Sequence, residues 1–134
     1  MCARGSLLKA VAFDARSAFK VRQLYTSAVH GHCDWELDEH AANTIFTELL
    51  SNVAQHGAFP ALVELECVDG MVKLHLSETG EGFSRNPELP EDMFCESGRG
   101  LFLVKTFAAE FEIMGNPRGT YIVAGLPRKP DISV

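Results

Sequence analysis

Glu48, Asn52, His56 and Gly57 fall in a single run, Glu48-Leu-Leu-Ser-Asn52-Val-Ala-Gln-His56-Gly57, spaced four, four and one residue apart. The apolar residues around them, Ala41, Ala42, Ile45, Phe46, Leu49 and Val53, recur at three- and four-residue spacing from Asp38 to His56. That spacing describes a helix with one buried stripe. At about 100° per residue, Asn52 projects into the stripe beside Ile45, with His56 near its centre and Glu48 at its edge. A buried amide or carboxylate without partners costs roughly 1 to 3 kcal/mol. The residue types therefore point to a polar ligand held against this helix, with an Asn satisfied by neighbouring backbone as the alternative.

Two glycine-rich segments follow. Glu78-Thr-Gly80-Glu-Gly82-Phe83 ends a run of alternating residues, and Gly98-Arg99-Gly100-Leu101 opens an apolar helix through Phe102, Leu103, Val104 and Phe107. The leading amides of such a helix have no intrahelical partner, and helix N-termini attract phosphate. An ordinary turn and helix start is the competing reading. A P-loop is excluded because no Gly-Lys-Ser/Thr follows, and the dinucleotide fingerprint fails because Arg85 stands where a third glycine belongs.

The elements that must position these residues are legible in outline. Leu7 to Phe13 reads as a short strand and Ala15 to about Val29 as a helix. Asp38 caps a second helix, which Gly57 and Pro60 end. Ala61 to Val68 and Met71 to Thr79 form a hairpin around Asp69-Gly70. Val72, Leu74 and Leu76 alternate there with Lys73, His75 and Ser77, so one face packs against helices. A segment rich in proline and acid, from Pro87 to Asp92, reads as a loop or lid, and Glu112 to Met114 with Thr120 to Leu126 as a closing hairpin.

Composition bounds the rest. The 134 residues suit one domain, 1–134, with no repeat or linker to divide it. A chain 46% hydrophobic and 22% charged folds as a globular protein. Eighteen acidic against twelve basic residues, a net charge of −6, argue against nucleic acid as the main partner. No apolar run approaches the roughly 20 residues of a membrane span, so no membrane partner is expected. Cys2, Cys33, Cys67 and Cys95 are dispersed, without the two-residue spacing of a zinc or redox pair, and a reducing cytoplasm is the simplest home. His30-Gly-His32-Cys33 lacks a fourth ligand and is a weak metal candidate.

Taken in order, Glu48 to Gly57, Glu78 to Phe83, Gly98 to Val104 and Gly119-Thr120 resemble the successive nucleotide-binding boxes of the GHKL ATPases, the superfamily of gyrase, histidine kinase and mismatch-repair ATP-binding domains. The short length and the wording Glu-Leu-Leu-Ser-Asn-Val-Ala-Gln-His-Gly are most similar to the anti-sigma factor serine/threonine kinases. The resemblance implies the Bergerat ATP-binding fold, an α/β two-layer sandwich with helices on one face of a mixed, mostly antiparallel sheet. It implies ATP and Mg2+ as cofactors, with Asn52 as the magnesium ligand through its side-chain oxygen and Glu48 as general base toward a protein hydroxyl. The remaining nucleotide contacts it implies are His56, Glu78, Gly80, Gly82, Phe83, Gly98, Arg99, Gly100, Leu101 and Thr120, with Arg99 or Lys105 balancing phosphate charge. The partners implied are an anti-sigma factor antagonist of the STAS type, a sigma factor or equivalent regulator, and a second copy in a homodimer.

One position departs from the family pattern. Glu78 stands where such families carry Asp, whose carboxylate receives the adenine amino group. The added methylene lengthens the reach by about 1.5 Å, and a lost hydrogen bond to a charged group costs roughly 1.5 to 3 kcal/mol. Two functions follow: a kinase acting in partner switching, or a catalytically weak nucleotide-dependent module that sequesters partner proteins.

Overall fold

The computed structural model describes residues 5–31, 37–56, 59–78, 99–116 and 119–129, with backbone alone for residues 55, 56, 99–101, 115 and 116. The elements run β1 (Gly5–Ala12), α1 (Ala15–Gly31), α2 (Glu39–His56), β2 (Ala61–Val68), β3 (Met71–Glu78), α3 (Arg99–Phe107), β4 (Glu110–Asn116) and β5 (Gly119–Gly125). Asp14 starts α1: its Oδ1 accepts the Ser17 amide at 2.8 Å, and Ser17 Oγ accepts the Asp14 amide at 3.0 Å. These two bonds form a reciprocal cap, and the Ser17 donors hold the exposed Asp14 carboxyl below its ordinary range. Asp38 caps α2 as the sequence suggests, its Oδ1 accepting the Ala41 amide at 3.0 Å.

The strands form one sheet in the order β1-β2-β3-β5-β4. Every described pairing is antiparallel, where the expectation of a mixed sheet left room for a parallel one. Asp69 and Gly70 both take positive φ, 51° and 82°, at the β2–β3 turn. That is the backbone of a two-residue hairpin turn whose twist matches the strands it joins. It brings Val68 opposite Met71 and sets the register of the whole hairpin.

Register decides which side chains face the helices. Ala61, Val63 and Leu65 of β2, Val72, Leu74 and Leu76 of β3, and Ile122 and Ala124 of β5 are buried together. The helices supply the other half of the core through Val21, Tyr25 and Val29 of α1, Ile45, Phe46, Leu49 and Val53 of α2, and Val104 of α3. The Tyr25 and Phe46 rings stack with centroids 4.1 Å apart, and the Tyr25 hydroxyl donates to the Ala42 carbonyl at 2.7 Å. Burial pushes that phenol's pKa far up. The result is the two-layer α/β sandwich with helices on one face of the sheet.

Cys67 corrects one expectation. It is buried and disulfide-bonded, its partner lying outside the described residues. Disulfides persist in oxidising surroundings, so dispersed cysteines do not support a reducing home. No described helix is long and apolar enough to cross a membrane.

Candidate functional site at one end of the sandwich

Three buried side chains among the described residues are polar or charged: Asn52 at 7% exposure, Glu78 at 4% and Thr120 at 4%. The topology brings them to the same end of the molecule. The Asp38 amide donates to Pro127 O at 2.9 Å and the Leu126 amide to Val72 O at 2.8 Å, so α2 starts where β5 ends and β3 begins. Asn52 lies fourteen residues past Asp38, about 21 Å along a helix at 1.5 Å per residue. Glu78 lies six residues past Val72, about 20 Å along a strand. The two therefore stand at the same height, and Thr120 pairs with Glu78 across the β3–β5 ladder. Chain connectivity agrees, since α2 ends at His56 and β2 starts at Ala61, beside the Leu62–Ser77 pair.

Each side chain faces the layer between helices and sheet for a local reason. Glu78 continues the buried alternation Val72, Leu74, Leu76, and Thr120 continues that of Ile122 and Ala124. Asn52 sits next to Val53 and one turn after Leu49, both buried. Its Nδ2 donates to the Glu48 carbonyl at 2.9 Å, so neighbouring backbone does satisfy the nitrogen, as the alternative reading had it. Among the described residues no donor reaches Oδ1. That oxygen is left open to accept from, or ligate, a bound group. Glu48 is half-buried, one turn earlier.

The third glycine segment is directed to the same end. The Ala109 amide donates to Gly125 O at 2.8 Å, so α3 finishes at the end of β5 and packs along α2. Its opening residues, Arg99 and Gly100, lie about 13 Å back toward Glu78 at helical rise. The side chains of Arg99, Leu101 and His56 are not among those described, and Gly80, Gly82, Phe83 and Gly98 lie outside the described residues. Lys105 does not belong to this cluster. It is exposed in the last turn of α3, where a cation complements the helix dipole.

Two polar pairs lie elsewhere. His30 Nδ1 meets Glu39 Oε1 at 2.9 Å on the surface. Glu66 Oε1 meets His75 Nε2 at 2.6 Å, and His75 Nδ1 meets the Tyr121 hydroxyl, on the sheet face turned away from the helices. Burial first, then the charges of Glu66 and Glu64, raise the Tyr121 pKa. The sequence reading took His75 only as part of a polar strand face; its partners are diagonal across three strands and have no local signal.

An antiparallel sandwich with helices on one face, and a buried Asn, Glu and Thr gathered at one end, has the architecture of a GHKL-type ATPase domain. The histidine kinase-like ATPase domain model matches residues 12–125, and the chain belongs to that family. No curated protein matches the chain. Domains of this family bind ATP, usually with Mg2+. The residues present fit that pair: Oδ1 of Asn52 is a hard oxygen donor without a protein partner among the described residues, and Glu78 offers a buried carboxylate.

Proposed function

We propose that this chain is a serine/threonine protein kinase of the anti-sigma factor type, a single domain over 1–134 that phosphorylates an anti-sigma factor antagonist of the STAS type. The observation that carries the reading is the confinement of Asn52, Glu78 and Thr120, the buried polar residues among those described, to the end of the sandwich that α2 and α3 face. Magnesium ATP, when bound, supplies the phosphoryl donor. Asn52 would hold the metal through Oδ1 and Glu78 would accept a hydrogen bond from the adenine amino group. Thr120 hydrogen-bonds the nucleotide beside Glu78, and His56 shapes the cavity wall. Gly80, Gly82 and Phe83 border the nucleotide, and Gly98, Arg99, Gly100 and Leu101 present amides and one guanidinium to phosphate.

Glu48 takes the proton of the acceptor hydroxyl. It stands one helical turn before Asn52 and only half-buried, so a protein substrate can reach it. When not engaged with its antagonist the protein sequesters a sigma factor or equivalent regulator and works as a homodimer. The test incubates the purified chain with magnesium ATP and a candidate STAS-type antagonist and reads the antagonist's mass. One added phosphate, lost in Glu48→Ala and Asn52→Ala, is expected. No transfer, or transfer undiminished in Glu48→Ala, would leave a nucleotide-dependent module that works by sequestering partners.

A further inference from the structure

The exposed face of α1 differs in chemistry from the rest of the chain. Phe13 and Phe19 are 68% and 62% exposed, the two most exposed large apolar side chains among the described residues, and Leu24 is 46% exposed. They lie at the start of α1 and along it, while Val21, Tyr25 and Val29 fill the opposite, buried side. At about 100° per residue, Arg16, Lys20, Gln23 and Ser27 run down the middle of the open face, with Phe19 on one flank and Leu24 on the other. Arg22, though exposed, lies beyond the Phe19 flank toward the buried side, and α1 contains no Asp or Glu.

Charge segregates the same way along the chain. Up to Gly31 there are five basic residues and one acidic, Asp14, so the remainder carries ten net negative charges within the overall −6. Asp14 is held to the helix start by its bonds with Ser17. Glu39, the acidic residue of α2 nearest the end of α1, is engaged by His30. A scattered exposed Leu needs no explanation, but aromatic and aliphatic anchors interleaved with basic groups match the composition of a protein interface.

We propose that the open face of α1 is a docking surface for an acidic protein segment with apolar side chains of its own. The occupant follows from charge complementarity. A second copy would have to present acid to α1 from another of its faces, since α1 against α1 sets Arg16 and Lys20 against their like. An anionic membrane would repel the ten net negative charges of the remaining chain, and the two basic side chains of the face give weak attraction at roughly 1 kcal/mol each. The inference makes no use of nucleotide, so it stands or falls separately from the kinase reading.

The experiment uses the full chain and a fluorescein-labelled helical peptide built of alternating Glu-Glu and Leu-Leu pairs, with a peptide carrying Lys in place of Glu as its counterpart. Anisotropy should show the acidic peptide binding, weakening as salt rises, while the basic peptide fails to bind. Arg16→Glu with Lys20→Glu should weaken binding about tenfold, the combined effect of two reversed surface charges, and Phe19→Ser should weaken it severalfold with unchanged thermal unfolding. Absence of acidic-peptide binding, or binding indifferent to these substitutions, overturns the proposal. So does sedimentation with phosphatidylglycerol vesicles, or concentration-dependent self-association, that Phe19→Ser abolishes while peptide binding is absent.

Discussion

Glu78 sits at 4% exposure on the last residue of β3, in register with Thr120. Neighbouring alternation, not its own chemistry, turns it inward: Val72, Leu74 and Leu76 commit the strand to one face, and a residue two further on must follow. If that carboxylate grips adenine, its extra methylene matters. Glu78→Asp should tighten ATP binding by about tenfold or more, the value of one hydrogen bond to a charged group recovered at its proper length. Isothermal titration with and without magnesium measures it, and unchanged or weaker binding would mean the cavity is already fitted to Glu. The inward placement of Asn52 was legible in the sequence, because a polar side chain in an apolar periodic run advertises itself, whereas Glu78 was singled out through the family resemblance. The split within Asn52, its nitrogen bonded to the Glu48 carbonyl and its oxygen left to accept, was not legible, because it depends on one rotamer.

At the scale of elements, α2 is the part most fully readable in advance. Its Asp38 cap and its apolar period foretell the helix from Glu39 to His56, since both signals are local. The Asp14 cap of α1 is a weaker signal, Asp-x-x-Ser, in which Ser replaces the usual Glu or Gln at the third helical position. What holds α1 to α2 could not be read, since Tyr25 and Ala42 are seventeen residues apart in sequence. Tyr25→Phe keeps the ring on Phe46 and removes the hydroxyl. It should cost about 1 kcal/mol and lower the melting temperature by about 4 °C, read by thermal unfolding followed by circular dichroism. A loss several times larger would mean the hydroxyl orders α2 beyond this one bond.

For the whole molecule, the antiparallel order β1-β2-β3-β5-β4 gathers Asn52, Glu78 and Thr120 at one end while the basic face of α1 remains open. The disulfide of Cys67 is a property of the same scale, since dispersed cysteines can meet only after the chain folds. Alkylating the denatured, unreduced chain with iodoacetamide should leave Cys67 unmodified by peptide mass, and labelling should follow reduction. Labelled Cys67 without reductant would refute the bond. By itself the sequence determined the elements, the hairpin turn at Asp69-Gly70 and the residue types of the site, because capping, periodicity and turn chemistry act over a few residues. Only the tertiary structure decided that Asn52, Glu78 and Thr120 share a height and a layer and that Lys105 does not join them. Those relations are set by which end of β5 receives α2 and α3, through hydrogen bonds such as Asp38 to Pro127 and Ala109 to Gly125 that join residues distant along the chain.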